Sequence, residues 1–229
     1  MKVTLLRSTP EPEKTVSLAA KLCYSDSGID DLEKKVEGSS QENFLAKILK
    51  LGHLSVLEHA SFTFGIEGVS RALTHQLVRH RIASYSQQSQ RYVNATKGKD
   101  YVTPPLIAKD EAAAKKFSEA MDKAYGLYDE LIKAGIEKED ARYVLPNAAC
   151  TKIIVTMNAR ELLHFFNLRC CERAQWEIRD MATRMLALVK KESPVIFETS
   201  GPACVAGACS EGEMTCGKPK EIREKFKAL

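Results

Sequence analysis

The stretch 79–91, RHRIASYSQQSQR, carries three arginines, one histidine, three serines and three glutamines, and no acidic residue. No Asp or Glu occurs anywhere between Gly68 and Lys99, so these cations have no local structural partner. Ser70 is placed to cap a helix over residues 71–81, with Leu73 and Leu77 at i, i+4 facing a core. On that helix Gln76, Arg79 and His80, at i, i+3 and i+4, share another face and converge. Residues 82–100 lack helical periodicity and read as an ordered loop presenting Ser84, Ser86, Gln87, Gln88, Ser89, Gln90 and Arg91. Guanidinium groups grip phosphate bidentately, while amides and hydroxyls can address a base or sugar. The segment therefore suits an anionic, heteroatom-rich small molecule. The competing reading is a solvated basic helix end followed by a polar loop.

Two further segments carry chemistry. Residues 52–59 (GHLSVLEH) hold His53, Ser55, Glu58 and His59. They lack the second histidine of an HExxH zinc motif, and a polar turn before a strand is the plainer reading. In residues 158–169 (NARELLHFFNLR), Asn158 with Glu161 three positions on has capping-box spacing. The apolar majority predicts a largely buried helix, and Arg160, His164 and Asn167 at i, i+4, i+7 predict a polar stripe lining a ligand cavity. Nine residues at about 100° each set Arg169 opposite Arg160 on an ideal helix. Either the helix ends near Asn167, or Arg169 serves a site formed with another subunit.

Outside these segments the pattern is helix-rich. Strands are expected at residues 2–6, 61–68 (alternating Phe62, Phe64, Ile66) and 151–157. Helices are expected over 12–23, over 41–51 with Ser40 as cap, over 112–134, near 137–144, over 158–169 and over 174–191. Residues 26–40 read as a polar loop. The class is α+β or mixed α/β, in one large domain or two small ones.

With these residues in place, the chain resembles the flavin-dependent thymidylate synthases. Arg79-His80-Arg81, Ser84, Ser89 and Arg91 match every fixed position of the family motif (RHR, two residues, Ser, four residues, Ser, one residue, Arg). Residues 52–59 and the pattern Asn158-Ala159-Arg160, Leu162, Leu168, Arg169 match two more, and the resemblance spans about residues 2–201. It implies reductive methylation of dUMP to dTMP, with methylenetetrahydrofolate as carbon donor, FAD as redox cofactor and NADPH as reductant. It implies FAD contacts at Ser55 (from a neighbouring subunit), Glu58, Arg79, His80, Arg81, Gln87, Asn158, Arg160 and His164, with His53 lining the site. The dUMP contacts it implies are Gln76, Arg79, Gln87, Gln88, Ser89, Gln90, Arg91, Arg142 and Arg169, and Arg169 is the catalytic group. It further implies a homotetramer with shared active sites. The expected fold has a central antiparallel or mixed sheet flanked by helices. The chain has no GxGxxG, so its flavin site is expected to be non-Rossmann. Ser89 has no sequence neighbour to activate it and is assigned to binding rather than nucleophilic attack.

Composition narrows the alternatives. A net charge of +4 with dispersed lysines does not suggest a nucleic-acid coat. An RNA-binding reading of residues 79–91 has only Tyr85 and Tyr92 for stacking. A metal hydrolase using His53, His59, His75 and His80 has poor ligand spacing. No run is long enough for a membrane span, and the N-terminus lacks a signal-peptide core, so a cytoplasmic location is expected. The seven cysteines are expected to be reduced. Cys204, Cys209 and Cys216 fit no standard zinc spacing; Cys170 or Cys171 could complete four thiolates, but a reduced tail is the plainer reading. Residues 1–201 are expected to form the catalytic domain, and 202–229 a partly flexible, basic, cysteine-containing tail.

Overall fold

The computed structural model describes residues 1–95 and 100–229. Among them β1 (Lys2–Ser8), β2 (Ser61–Ser70), β3 (Ala83–Gln87) and β4 (Cys150–Asn158) form a four-stranded sheet of order β1-β2-β4-β3. The Thr9 N–H bonds the Ser61 carbonyl while Lys2, at the other end of β1, reaches Glu67, so β1 and β2 run antiparallel. Thr63 meets Thr156 and Glu67 meets Lys152, which sets β2 and β4 antiparallel as well. The period-two pattern holds: Phe62, Phe64 and Ile66 of β2 are fully buried, as are Ile153, Val155 and Met157 of β4.

The helices are α1 (Pro12–Leu22), α2 (Ile29–Glu37), α3 (Glu42–Lys50), α4 (Arg71–Leu77), α5 (Pro105–Ala108) and α6 (Glu111–Lys133). They continue with α7 (Lys138–Ala141), α8 (Ala159–Arg169), α9 (Trp176–Glu192), α10 (Pro194–Phe197), α11 (Ala203–Ala206) and α12 (Pro219–Lys227). Contacts divide the chain into a first unit (residues 1–2, 66–79 and 85–154) and a second (3–65, 80–84 and 155–229). The first buries Leu73, Leu77, Met121, Tyr125 and Tyr128. In the second, Phe165, Phe166, Phe197 and Phe62 form an edge-to-face chain with successive centroids 5.8, 6.0 and 5.5 Å apart.

Several expectations are corrected. The polar stretch 26–40 holds α2, because Leu32 and Val36 stand one turn apart and both are buried, behind Asp30 and Asp31 in the first turn. Ser40 does not cap α3. Gln41 occupies that position, and its side-chain amide donates backward to the Val36 and Ser39 carbonyls. Ser70 does cap α4, its Oγ accepting the Leu73 N–H at 3.0 Å. That helix stops at Leu77, however, where the Tyr85 hydroxyl takes the Leu77 carbonyl at 2.9 Å. Arg79 and His80 therefore lie beyond the helix, and the expected convergence with Gln76 on one helical face does not form. The loop expected over 82–100 begins instead with β3, and its residues 96–99 lie outside the described residues.

The tail is folded. Ile222 and Phe226 of α12 are buried, and Gly201, with φ of 146°, leaves room where a Cβ would sit 2.9 Å from the Phe226 ring. No described helix is long and apolar enough to cross a membrane.

Candidate active site

Charged groups of the second unit gather along α8. The turn Leu54–His59 is a single 3-10 segment, which eclipses i and i+3 and so aligns the exposed Ser55 and Glu58. The Ala159 N–H bonds the Ala60 carbonyl at 2.7 Å, fixing the start of α8 against the end of that turn. Arg160, on the first turn of α8, donates to the Glu58 carboxylate at 2.5 Å. Asn158 caps the helix through the Glu161 N–H at 2.9 Å. The Glu161 side chain does not return to close a capping box. It turns inward and meets Nδ1 of His80 at 3.2 Å. On the far side of the same ring, Nε of Arg169 donates to His80 Nε2 at 3.0 Å.

Helix α8 runs unbroken from Ala159 through Arg169, so its end near Asn167 is ruled out. Arg160 and Arg169 stand at opposite ends with different partners. The expected stripe Arg160, His164, Asn167 is exposed rather than buried, and Leu168 is 44% exposed, so α8 is buried on one side only.

His80 is only 5% exposed and Glu161 6%. A carboxylate at 3.2 Å would by itself favour an imidazolium, yet the surroundings push the other way. Burial, followed by the charges of Arg169 and His164, lowers His80 to about 4. Burial raises Glu161, with His164 acting in the opposite direction. Desolvation outweighs the pair attraction for both partners. A neutral His80 is also what the hydrogen bonds require, because Nε2 must offer a lone pair to the Arg169 N–H. Nδ1 then carries the proton and donates it to Glu161. Burial also lowers the half-buried Arg169.

In the first unit the charges lie nearer the surface. Arg91 pairs with Glu139, its Nε and Nη2 lying 2.8 and 2.6 Å from the same carboxylate oxygen. Arg142 Nε donates to the main-chain carbonyl of that same Glu139 at 3.0 Å, so α7 gathers both arginines. Arg71 joins them: burial lowers its pKa, and the like charge of Arg142 lowers it further. Gln87 is tied to Thr74 and Thr151 through its amide at 3.0 and 3.3 Å. Ser89 Oγ accepts the Arg91 N–H at 3.1 Å, shaping the turn. Gln88 is exposed, and Gln76 and Gln90 are half-buried. Arg79 and Arg81 are exposed and have no acidic partner among the described residues.

Sequence reasoning missed Glu139, Arg71 and the inward role of Glu161. Arg71 carried a signal, since a cation on the first residue of a helix opposes the dipole and needs another reason to be there. Glu139 and Glu161 carried none, because their partners are 48 and 81 positions away.

The donor set fits a flavin dinucleotide. In the second unit the exposed Arg81 guanidinium, without an acidic partner among the described residues, suits its diphosphate, and the half-exposed Asn158 and exposed His164 suit its heteroatoms. Among the described residues no group of three or more His, Cys, Asp or Glu side chains could hold a metal ion. All seven cysteines are free thiols, and burial pushes Cys170 up to about 12.

Residues 4–195 match the family described as thymidylate synthase complementing protein. The flavin-dependent thymidylate synthase of Geobacter sulfurreducens is 58% identical, over 100% of this chain and 99% of its own length. That of Clostridium tetani is 51% identical over 98% and 96%, and that of Pyrococcus abyssi 46% over 100% and 98%. Among solved structures, a UMP/dUMP methylase, PolB from Streptomyces cacaoi bound with 5-Br dUMP, is similar with a TM-score of 0.76. It is 25% identical, with 86% of this chain and 93% of that chain covered.

Proposed function

The chain belongs to the flavin-dependent thymidylate synthases, and we propose that it methylates dUMP to dTMP with the roles of its charged residues divided between the two units. The observation that carries this reading is the full-length similarity to enzymes of that name, with each fixed position of the 79–91 motif in place. The carbon donor is methylenetetrahydrofolate and the reductant NADPH. Bound FAD supplies the redox chemistry, leaving binding, orientation and electrostatics to the protein.

Arg91 and Arg142, with Arg71 beside them, hold the nucleotide's phosphate. The single carboxylate of Glu139 offsets only part of their charge, which leaves net positive potential for a dianion. Gln76, Gln87, Gln88, Ser89 and Gln90 supply neutral donors and acceptors for base and sugar. Arg79 and Arg81, together with Asn158, Arg160, His164, Ser55 and Glu58, hold the flavin. Arg169 spends one N–H on His80 and keeps both terminal amino groups for the substrate. Its fixed positive charge stabilises negative charge developing on the uracil ring as N3 gives up its proton.

We place the enzyme in the cytoplasm as a homotetramer with active sites built from several chains. Arg160 and Arg169, at opposite ends of an unbroken α8, support this, since they are hard to reconcile with one pocket of one chain. The test is the visible spectrum of the purified protein with FAD before and after dUMP, followed by a dTMP assay with folate and NADPH. A bound-flavin spectrum perturbed by dUMP, with dTMP formed, is the expected result. Flavin that washes away and ignores saturating dUMP would overturn the reading.

A further inference from the structure

We infer that Glu161 is a positioning residue for Arg169: acting through His80, it fixes the tautomer and orientation of the imidazole that holds the guanidinium. The inference rests on the proposed reaction only for what Arg169 does once it is oriented.

The argument begins with what a carboxylate can and cannot do. Ionised Glu161 is acceptor-only, so at 3.2 Å from His80 Nδ1 it demands a proton there. A neutral imidazole protonated on Nδ1 has its lone pair on Nε2, which is the atom facing the Arg169 N–H at 3.0 Å. The opposite tautomer would point an N–H at a guanidinium N–H and break the contact. Both inner members are enclosed, His80 at 5% and Glu161 at 6% exposure, so water does not compete for these bonds. Phe165 packs edge-on to the imidazole at 4.9 Å between centroids and His164 at 5.9 Å, which restricts ring rotation.

The arrangement separates two properties that a direct ion pair would link. A carboxylate bound straight to Arg169 would orient the guanidinium and also offset its charge. Here a neutral ring lies between them. Orientation passes through it, while the positive charge of Arg169 stays available to the developing anion. Three residues of one helix, Glu161, Phe165 and Arg169, surround a histidine from residues 80–84. The ring is clamped by positions i, i+4 and i+8 of α8. His80, expected from the family resemblance to contact cofactor, has both ring nitrogens committed inward.

Among the described residues, the groups facing His80 that can titrate or carry charge include Glu161, His164 and Arg169 of α8. Protonation of Glu161 turns an acceptor into a donor and removes the reason for the Nδ1–H tautomer. Turnover should therefore fall on the acid side as Glu161 takes up its proton.

The test combines 15N NMR of the histidine ring with kinetics. In the wild-type protein at neutral pH, His80 is expected as the neutral Nδ1–H tautomer, and in Glu161→Met as a mixture. An Nε2–H or imidazolium wild-type signal would overturn the inference, whatever the protein's activity. In turnover, Glu161→Met should lower kcat about thirtyfold with flavin retained and KM for dUMP within about threefold, the pattern of a lost transition-state interaction. Glu161→Gln keeps size and an oxygen acceptor, and should recover to within about fivefold of wild type while losing the acid limb of the kcat–pH profile. Wild-type kcat in Glu161→Met, or an unchanged acid limb in Glu161→Gln, overturns it. If the wild-type protein ignored both flavin and dUMP, the reaction assignment would fail, while the NMR result would still decide the tautomer.

Discussion

Arg91 in the first unit and Arg169 in the second each donate a hydrogen bond to a side-chain partner, but on opposite terms. Arg91 meets Glu139 directly with both side chains about half exposed, where water and salt compete and such a pair contributes about 0–1 kcal/mol. Arg169 meets a buried imidazole whose second nitrogen is held by a buried carboxylate. A surface pair can be traded for a ligand phosphate at little cost to the fold. A buried, fully bonded chain of side chains cannot, because breaking it strands a polar group away from water. The first setting suits a group that must let go of one anion to take another. The second suits a group that must not move.

Breaking the buried setting should have the largest consequence. Arg169→Ala is expected to lower kcat by roughly a hundredfold to a thousandfold, as loss of one preorganised donor does, with flavin still bound. Single-turnover kinetics against flavin content would check it. Retained turnover would remove Arg169 from the chemistry.

Truncation in the surface setting should instead appear in binding. Arg142→Ala is expected to raise KM for dUMP roughly tenfold or more, with kcat less affected and a reduced dependence on salt. A fall in kcat with unchanged KM would erase the distinction between the two arginine environments.

Acid titration sharpens the comparison through stability. The folded His80 pKa of about 4 lies below its ordinary 6.5, so between these values the unfolded chain takes up a proton that the folded one refuses. Stability is therefore lost as pH falls from 6.5 toward 4, by on the order of 3 kcal/mol from this group when the titration is complete. Glu161, shifted upward, works in the opposite direction and offsets part of the loss. Urea denaturation at pH 7 and pH 5 should show a shallower decline for His80→Gln than for wild type. Equal declines would mean that His80 is charged in the folded state.

The smallest effects belong to the surface. Glu139→Gln should change stability by less than about 1 kcal/mol and leave KM for dUMP unchanged or lower, since it frees Arg91 for the phosphate and leaves the Arg142 bond to the main chain in place. Ser89→Ala removes the acceptor for the Arg91 N–H, and should keep most turnover. A dead Ser89→Ala variant that still binds dUMP would return the serine to the chemistry.

The sequence by itself determined whatever depends on near neighbours. Alternation marked β2 and β-branched residues marked β4, the Ser70 and Asn158 caps were legible three residues ahead of their N–H partners, and motif spacing located Arg79, Arg91, Arg160 and Arg169. Local chemistry misled where a distant group intervened. Tyr85 ends α4 at Leu77, and β3 replaces a loop because its hydrogen-bonding partner strand arrives more than sixty positions later. Only the tertiary structure could decide that Glu161 serves His80 rather than its own helix, that Glu139 joins Arg91 to Arg142, and that α8 stays intact through Arg169. The physical reason is that caps and periodicities are settled by backbone geometry within one or two turns. The partner of a buried charge is settled by whatever the fold encloses with it.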